Sequence, residues 1–350
     1  MAERTHIALF FILTALAFNT GPLRAQNQPD EPQKFFREFI RLKEEQVKDI
    51  RAGKAVAKVL DSPTPDEVFV FGSVFVRSTP ERYLKLASDL DALRKLPSYL
   101  ALQKLSEPPQ LADFSGFTLS EDDINHLQHC KAEHCEVQLP TETMEQFQHS
   151  VNWSARDKAE QVNRLAQQMA LEALARYQKG GNSALGTYRD KSHPAVVAQT
   201  FKSLLDEMKA IPVYLPELYR YLLDYPNVPS STIESQFYWE KVNFGLKPTL
   251  RMVQALIYRG TSSSEPAYAV AVKQLYASHY FETALDLTVC VRDRANQKNG
   301  FYLITLKGSR QAGLSGFKGG IVRKVAVDKT RSSLQRALES IKQKLEAQAD

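Results

Sequence analysis

The sequence has few cysteines, no long apolar run after its first 18 residues and no excess of one charge sign. Three cysteines among 350 residues cannot build a disulfide scaffold, so apolar packing must supply the core. Beyond Phe18 no segment is long and apolar enough to cross a bilayer, which takes about 20 residues. We therefore expect the rest of the chain to form a soluble globular protein.

Charge and motif content exclude several classes of function. The 45 basic and 40 acidic side chains give a net charge of +5, and this even balance argues against a nucleic-acid partner. The glycine-rich segment 308–320 matches neither the phosphate-binding loop of nucleotide-binding proteins nor the nucleophile elbow of hydrolases. The sequence therefore predicts no cofactor.

Residues 1–25 have the layout of a cleavable signal peptide. A short polar start precedes the apolar run 7–18, and Leu23 and Ala25 occupy the positions that flank a cleavage site. We expect cleavage after Ala25 and a periplasmic or secreted product. A retained membrane anchor is the alternative, but twelve apolar residues are short of the ~20 that span a bilayer.

The first part of the mature chain mixes helices with a strand pair. Apolar residues at helical spacing predict helices over 33–50 and 80–93, and a second short helix within 93–105. Two runs rich in Val and Phe, 54–60 and 67–76, predict paired strands.

The middle and the end of the chain differ in their periodicity. Residues 106–232 predict a mostly helical insertion, with Ser120 and Asp123 as a capping box and a long helix that starts at Ser154. The last part, 233–350, contains runs typical of strands at 246–260, 268–277, 280–293 and 300–310, and an amphipathic helix at 331–347.

A Cys/His-rich segment lies within the insertion. His126, His129 and His134 alternate there with Cys130 and Cys135, all of which are metal-ligand types. Their spacing matches no standard zinc template, and thiols oxidise outside the cytoplasm. We therefore favour a Cys130–Cys135 disulfide over a metal site and predict no bound metal.

Three other segments carry candidate site residues. Ser278 could act as a nucleophile and His279 as a base. Adjacent residues of a strand point to opposite faces, however, so the two side chains should not meet directly. Tyrosines at 268, 276 and 280 combine apolar rings with polar tips that suit a ligand pocket or an ordinary core. In the segment 308–320, Leu314 and Phe317 could enter an apolar opening, so the segment is either a gate or a plain solvent loop.

The strand pair and helices of 56–100 and the strand and long helix of 300–346 together resemble the START-like (SRPBCC) superfamily, which has a helix-grip fold. This resemblance implies an α+β protein in which a curved antiparallel sheet grips a long C-terminal helix around a hydrophobic cavity. The insertion at 106–232 has no counterpart in that pattern. The segments 130–140 and 273–287 are also similar to uncharacterised exported bacterial proteins.

The resemblance implies that the protein binds or carries an apolar small molecule or a lipid. The expected ligand-binding residues are Tyr268, Val270, Tyr276, His279, Tyr280, Leu303, Ile304, Leu314 and Phe317.

Two other functions remain open from the sequence. The first is a hydrolase-like enzyme in which His279 pairs with Asp286 or Glu282. The second is a structural envelope protein that docks through an apolar patch on residues 155–225. Peripheral contact with a membrane and the oligomeric state are also open.

Overall fold

The computed structural model describes residues 32–96, 98–244, 247–260, 268–292, 299–311 and 316–347, with only the backbone for 316–322. The predicted signal peptide (1–25), Leu314 and the side chain of Phe317 therefore lie outside the described residues. In the described part of the chain, no helix has the length and apolar character needed to cross a membrane.

An eight-stranded antiparallel sheet forms the centre of the molecule and confirms the predicted α+β class. Its spatial order is β1-β2-β10-β9-β8-β7-β6-β3. The strands are β1 (Val56–Leu60), β2 (Glu67–Val76), β3 (Tyr99–Lys104), β6 (Ile233–Val242), β7 (Thr249–Arg259), β8 (Tyr268–Ala277), β9 (Phe281–Arg292) and β10 (Phe301–Gln311). Two short strands, β4 (Thr187–Tyr188) and β5 (Ala195–Val196), pair separately.

Helices cover both faces of this sheet. They are α1 (Pro32–Glu38), α2 (Glu44–Arg51), α3 (Pro80–Ala87), α4 (Leu90–Arg94), α5 (Glu121–Leu127), α6 (Thr141–Ser150), α7 (Lys158–Gly180), α8 (Val197–Glu207), α9 (Ala210–Tyr214), α10 (Pro216–Asp224) and α11 (Gly316–Ala347). Single 3₁₀ turns occupy Leu111–Phe114 and Gly181–Ala184.

Strand β2 shows why helices must pack on both faces of the sheet. All ten of its residues are buried, and successive side chains of a strand point to opposite faces. Val70 and Val74 pack towards α11, whereas Phe71 and Phe75 pack towards α1 and α2. A strand that is apolar on both sides is stable only between two layers of helices.

The C-terminal helix α11 packs on the first of these faces, against β1 and β2. Its described side chains that are buried are Val327, Leu334, Leu338 and Leu345. Gly72 permits the close approach, because a Cβ atom at this position would lie 2.8 Å from side-chain atoms of both Leu334 and Leu338.

The opposite face carries the insertion together with α1 and α2. Helices α8, α9 and α10 pack on the middle strands, and their buried residues join Leu256, Ala271 and Leu285 in one cluster. Helices α5, α6 and α7 form a second cluster with Trp239 and Met252.

Several predicted boundaries were wrong. The segment 33–50 is two helices, since the chain turns at Arg41 (φ 55°). Residues 99–104 form strand β3, which pairs with β6, so the sheet decides a segment whose own pattern favoured a helix. Helix α7 starts at Lys158 with Asp157 as N-cap, and Ser154 precedes it.

Substituting Gly72 tests the contact between helix α11 and the sheet. We expect Gly72→Ala to lower the free energy of unfolding by about 1–3 kcal/mol, because the new methyl group overlaps two leucines. Urea denaturation measures this change. The double variant Gly72→Ala/Leu338→Val should lose less stability than the sum of the two single variants, and strict additivity would contradict a direct steric contact.

Candidate functional site

A cavity of about 530 Å³ lies between the insertion and the sheet. Its walls come from helices α6 and α7, from the segment 184–188 and from strands β7 and β8 of the sheet. Apolar side chains line most of it, and they include Phe117, Leu139, Phe147, Met169, Leu174, Val197, Met252 and Leu275.

Small side chains on helix α7 create the space. Ala166, Ala170 and Ala173 face the cavity at intervals of four and three residues, which is one side of a helix. The exposed residues Glu172 and Arg176 also line it and therefore mark its mouth. The cavity is thus apolar inside and charged at its opening.

Tyrosines supply the polar groups of the walls. Tyr177, Tyr188 and Tyr276 all line the cavity. Burial raises the pKa of each of the three phenols, so their hydroxyl groups stay protonated at neutral pH. The hydroxyl groups of Tyr188 and Tyr276 can donate hydrogen bonds to a bound molecule, whereas that of Tyr177 donates to Gln254.

The predicted ligand residues do not meet in one place. Tyr276 lines the cavity described above. Tyr268, Val270 and Leu303 lie on the face that packs against α3 and α11, and Ile304 lies on the opposite face beneath α1 and α2. Leu303 and Ile304 are neighbours on strand β10, and the alternation of a strand sends them to opposite faces.

His279 lies in the turn between β8 and β9 and is 4% exposed. Its Nε2 atom is 3.1 Å from Oδ1 of Asp123, and its Nδ1 atom is 3.1 Å from the carbonyl oxygen of Glu136. The imidazole and the carboxylate are thus in direct contact, and they form an ion pair when the imidazole is protonated. The expected carboxylates are engaged elsewhere, Asp286 with Lys307 and Glu282 with Arg310.

Asp123 connects three segments of the molecule. It caps α5 as half of the predicted Ser120/Asp123 box, and its Oδ1 atom is 2.7 Å from Nζ of Lys247. Burial alone would raise the pKa of Asp123, but His279 and Lys247 outweigh that effect and hold the pKa well below its usual range.

Other polar groups in the same turn have structural partners. The hydroxyl of Ser278 accepts a hydrogen bond from the backbone N–H of Leu250, and the hydroxyl of Tyr280 accepts one from that of Lys247. Neither Ser278 nor His279 lines the cavity beneath α7. This geometry joins α5 to the sheet, and backbone N–H groups hold both of these hydroxyl groups.

The Cys/His segment forms a separate surface recess. Cys130 and Cys135 are joined by a disulfide bond. His126, His129 and His134 line the recess, but across the described ranges no three His, Cys, Asp or Glu side chains converge as metal ligands would.

The helix α11 side of the sheet is more polar than the expected hydrophobic cavity. Arg251 and Glu240 form a buried ion pair at 3.1 Å, and Lys307 contacts Asp286 on the neighbouring strands. Burial raises the pKa of Glu240. The apolar cavity beneath α7 lies on the other face of the sheet.

Lys273 is a site residue that the sequence reasoning missed. It is fully buried on strand β8, and its Nζ atom donates hydrogen bonds to the hydroxyl of Tyr177 at 3.0 Å and to Oδ1 of Asn182. The Phe201 ring lies 4.2 Å from Nζ. Burial lowers the pKa of Lys273 to about 7.

A hydrogen-bond chain holds this amine in place. The hydroxyl of Tyr177 donates to Oε1 of Gln254 at 2.7 Å, and the Gln254 amide donates to Ser235 at 2.9 Å. The Asn182 amide donates to the carbonyl groups of Leu222 and Leu223, which orients its oxygen towards Lys273. Among the residues that the structure describes, this network contains no carboxylate.

A signal for Lys273 was present in the sequence. In the run 268–277 both alternating sets of side chains are apolar, which is typical of a strand buried on both faces. A lysine within such a run is buried whichever face of the sheet its side chain occupies. Its partners Tyr177 and Asn182 could not be found in this way, because they lie 96 and 91 residues away from Lys273 along the chain.

The sequence matches no known protein-family model and no curated protein.

Removing the charge of Asp123 should loosen the contact between α5 and the sheet. We expect Asp123→Asn to lower the free energy of unfolding by about 3 kcal/mol at pH 7, because the half-buried Lys247 and the buried His279 lose a buried carboxylate partner. The pKa of Asp123 is lower in the folded than in the unfolded state, so its contribution to stability is lost as the pH falls. The difference in free energy of unfolding between wild type and Asp123→Asn should therefore be constant above about pH 5 and shrink below about pH 4.

Asp122→Asn is the matched control for this variant. Asp122 also pairs with Lys247, but its side chain is 63% exposed, so we expect a change of at most about 1 kcal/mol. Urea denaturation of both variants from pH 3 to pH 7 measures the two effects. Equal losses in the two variants would show that burial of Asp123 is irrelevant.

Lys273 should make stability depend on pH. Its pKa is about 7 in the folded protein and about 10.4 in an unfolded chain, so the unfolded state binds more protons between these values. Wild-type stability should therefore rise with pH across this window, by up to ~1.4 kcal/mol per pH unit more than in Lys273→Met. Urea denaturation at pH 7, 8 and 9 tests this, with the exposed Lys179→Met as control. Parallel curves for wild type and Lys273→Met would contradict a depressed pKa.

Proposed function

We propose that this protein binds an apolar small molecule, such as a lipid, in the cavity between α6, α7 and the sheet. The observation that carries this proposal is the cavity itself. Its volume of about 530 Å³ lies within the ~300–1,000 Å³ of ligand pockets, and its walls are mainly apolar with a few polar groups.

The distribution of polar groups favours an amphiphilic ligand. Arg176, Glu142 and Glu172 stand at the exposed mouth, while the hydroxyl groups of Tyr188 and Tyr276 lie deeper. A charged or polar head would be solvated at the mouth and an apolar body would occupy the interior. A hydroxyl or carbonyl group on that body could accept a hydrogen bond from a tyrosine.

We also propose that the fold is related to the START-like superfamily. The large antiparallel sheet and the long helix α11 are compatible with a helix-grip shape. In this proposal the insertion has moved the ligand site to the face of the sheet opposite α11. The charge pairs on the α11 side support that shift, because an apolar ligand would have to desolvate them.

Export to the periplasm or out of the cell is part of the proposal. The pattern of residues 1–25 supports it, and so does the Cys130–Cys135 disulfide, since such bonds persist in oxidising compartments. A carrier in such a compartment needs no nucleotide.

The two alternative functions have less support. An enzyme based on His279 would need a free nucleophile and access to a cavity, and the described geometry supplies neither beside this imidazole. A docking surface on residues 155–225 would need an apolar patch, and in this stretch Val213 is the one large apolar side chain that is well exposed.

Filling the cavity should abolish ligand binding. Ala170 is buried and lines the cavity, so Ala170→Phe places a ring in the space that a ligand would occupy. We expect it to weaken binding of the apolar fluorophore N-phenyl-1-naphthylamine by about tenfold or more, which corresponds to ~1.4 kcal/mol. Fluorescence titration of the mature protein measures the affinity.

Ala175→Phe is the matched control on the same helix. Ala175 is exposed and does not line the cavity, so this variant should bind the fluorophore as wild type does. Circular dichroism establishes that both variants are folded. Unchanged binding in a folded Ala170→Phe protein would refute this cavity as the ligand site.

A further inference from the structure

The amine of Lys273 lies directly behind one wall of the cavity. Tyr177 belongs to both features, because its side chain lines the cavity and its hydroxyl is 3.0 Å from Nζ of Lys273. The partition between the cavity and the amine is therefore one side chain thick at this point.

The groups around the Lys273 amine are uncharged, whereas a buried lysine that stays protonated is usually paired with a carboxylate. Its Nζ atom contacts the phenol of Tyr177, the amide oxygen of Asn182 and the rings of Phe201 and Tyr177. None of these groups carries a negative charge at neutral pH. A charged ammonium group without a counter-ion is costly to bury. The amine therefore titrates near neutral pH, and a neutral amine is a nucleophile.

We propose that Lys273 is a covalent binding site for an aldehyde or ketone that occupies the cavity. This inference rests on the proposed function, since the apolar body of the carbonyl compound must first enter the space beside α7. It adds the chemical class of the ligand and the residue that holds it.

The reaction is an imine condensation. The lone pair of Nζ attacks the carbonyl carbon and forms a C–N bond, while the carbonyl oxygen takes a proton from the hydroxyl of Tyr177. The nitrogen of this carbinolamine returns a proton to Tyr177, and the carbinolamine hydroxyl leaves as water after a second proton transfer. One amine and one carbonyl give one imine and one water, so no oxidant or reductant is needed.

Tyr177 acts as the gate in this proposal. Its ring stacks on Tyr225 with centroids 5.2 Å apart, and its hydroxyl bridges Lys273 and Gln254. Rotation of the Tyr177 side chain away from Nζ opens the cavity onto the amine. The same hydroxyl then stands beside the reacting carbonyl as proton donor.

Reductive trapping tests the proposal in the mature protein. The protein is incubated at pH 7 with decanal and sodium cyanoborohydride, which reduces each imine to a stable secondary amine, and peptide mass spectrometry locates the decyl groups. We expect Lys273 to be labelled about tenfold faster than the exposed Lys179, because protonated surface amines are unreactive. Absence of a decyl group on Lys273 while surface lysines react would overturn the proposal.

Two variants separate a cavity-directed reaction from simple accessibility. Ala170→Phe should suppress decanal labelling of Lys273 but leave labelling by formaldehyde, which is small enough to bypass the filled cavity. Tyr177→Phe keeps the ring and removes the proton donor, so it should slow labelling at Lys273 and leave Lys179 unchanged. Equal decanal labelling of Lys273 in wild type and Ala170→Phe would contradict entry through the cavity.

The failure of this inference can be told apart from the failure of the proposed function. If N-phenyl-1-naphthylamine binds and Ala170→Phe abolishes that binding, the cavity is a ligand site whatever the trapping shows. Unlabelled Lys273 in that case overturns only the covalent step. If the fluorophore does not bind and decanal does not reach Lys273, both proposals fail together.

Discussion

The burial of both faces of one antiparallel sheet is the constraint on which the rest of this structure depends. A strand that carries apolar side chains on both sides, as β2 does, exposes a large apolar area unless helices cover each face. Helices α3, α4 and α11 cover one face, and α1, α2 and the insertion cover the other. The long insertion is therefore an integral part of the core, because without it one face of the middle strands would be exposed to water.

The two layers differ in how closely they pack on the sheet. Helix α11 approaches β2 at Gly72, where the absence of a side chain lets two leucines reach the strand. Helix α7 presents alanines to the sheet at Ala166, Ala170 and Ala173, yet it leaves a cavity. Small side chains thus permit contact in one layer and leave space in the other. In our proposal an apolar ligand fills this space, because it would supply the packing contacts that the small side chains of α7 do not make.

Two buried polar groups on the insertion side of the sheet show two ways of compensating desolvation. Asp123 keeps its charge because Lys247 and His279 surround it, and the resulting contact ties α5 to the sheet. Lys273 has hydrogen bonds to Tyr177 and Asn182 but no carboxylate, so its compensation is the loss of its proton. The first arrangement stabilises the native contacts. The second retains a group that opposes folding below about pH 10, and such groups tend to persist at sites with a chemical role.

The sequence by itself determined the elements whose pattern is strong and local. The alternation and β-branched content of β2, β8, β9 and β10 predicted strands, and the Ser120/Asp123 box marked the start of α5. The apolar stripe of 331–347 predicted the second half of helix α11, which begins at Gly316. Only the tertiary structure decided what depends on distant partners. Residues 99–104 became a strand because β6 offers an open edge, and Leu303 and Ile304 were separated by the sheet between them. The walls of the cavity beneath α7 and the partners of His279 and Lys273 likewise come from segments that are far apart in the chain. A local sequence pattern predicts which face of a strand a side chain occupies, but it does not predict which distant residues pack against that face.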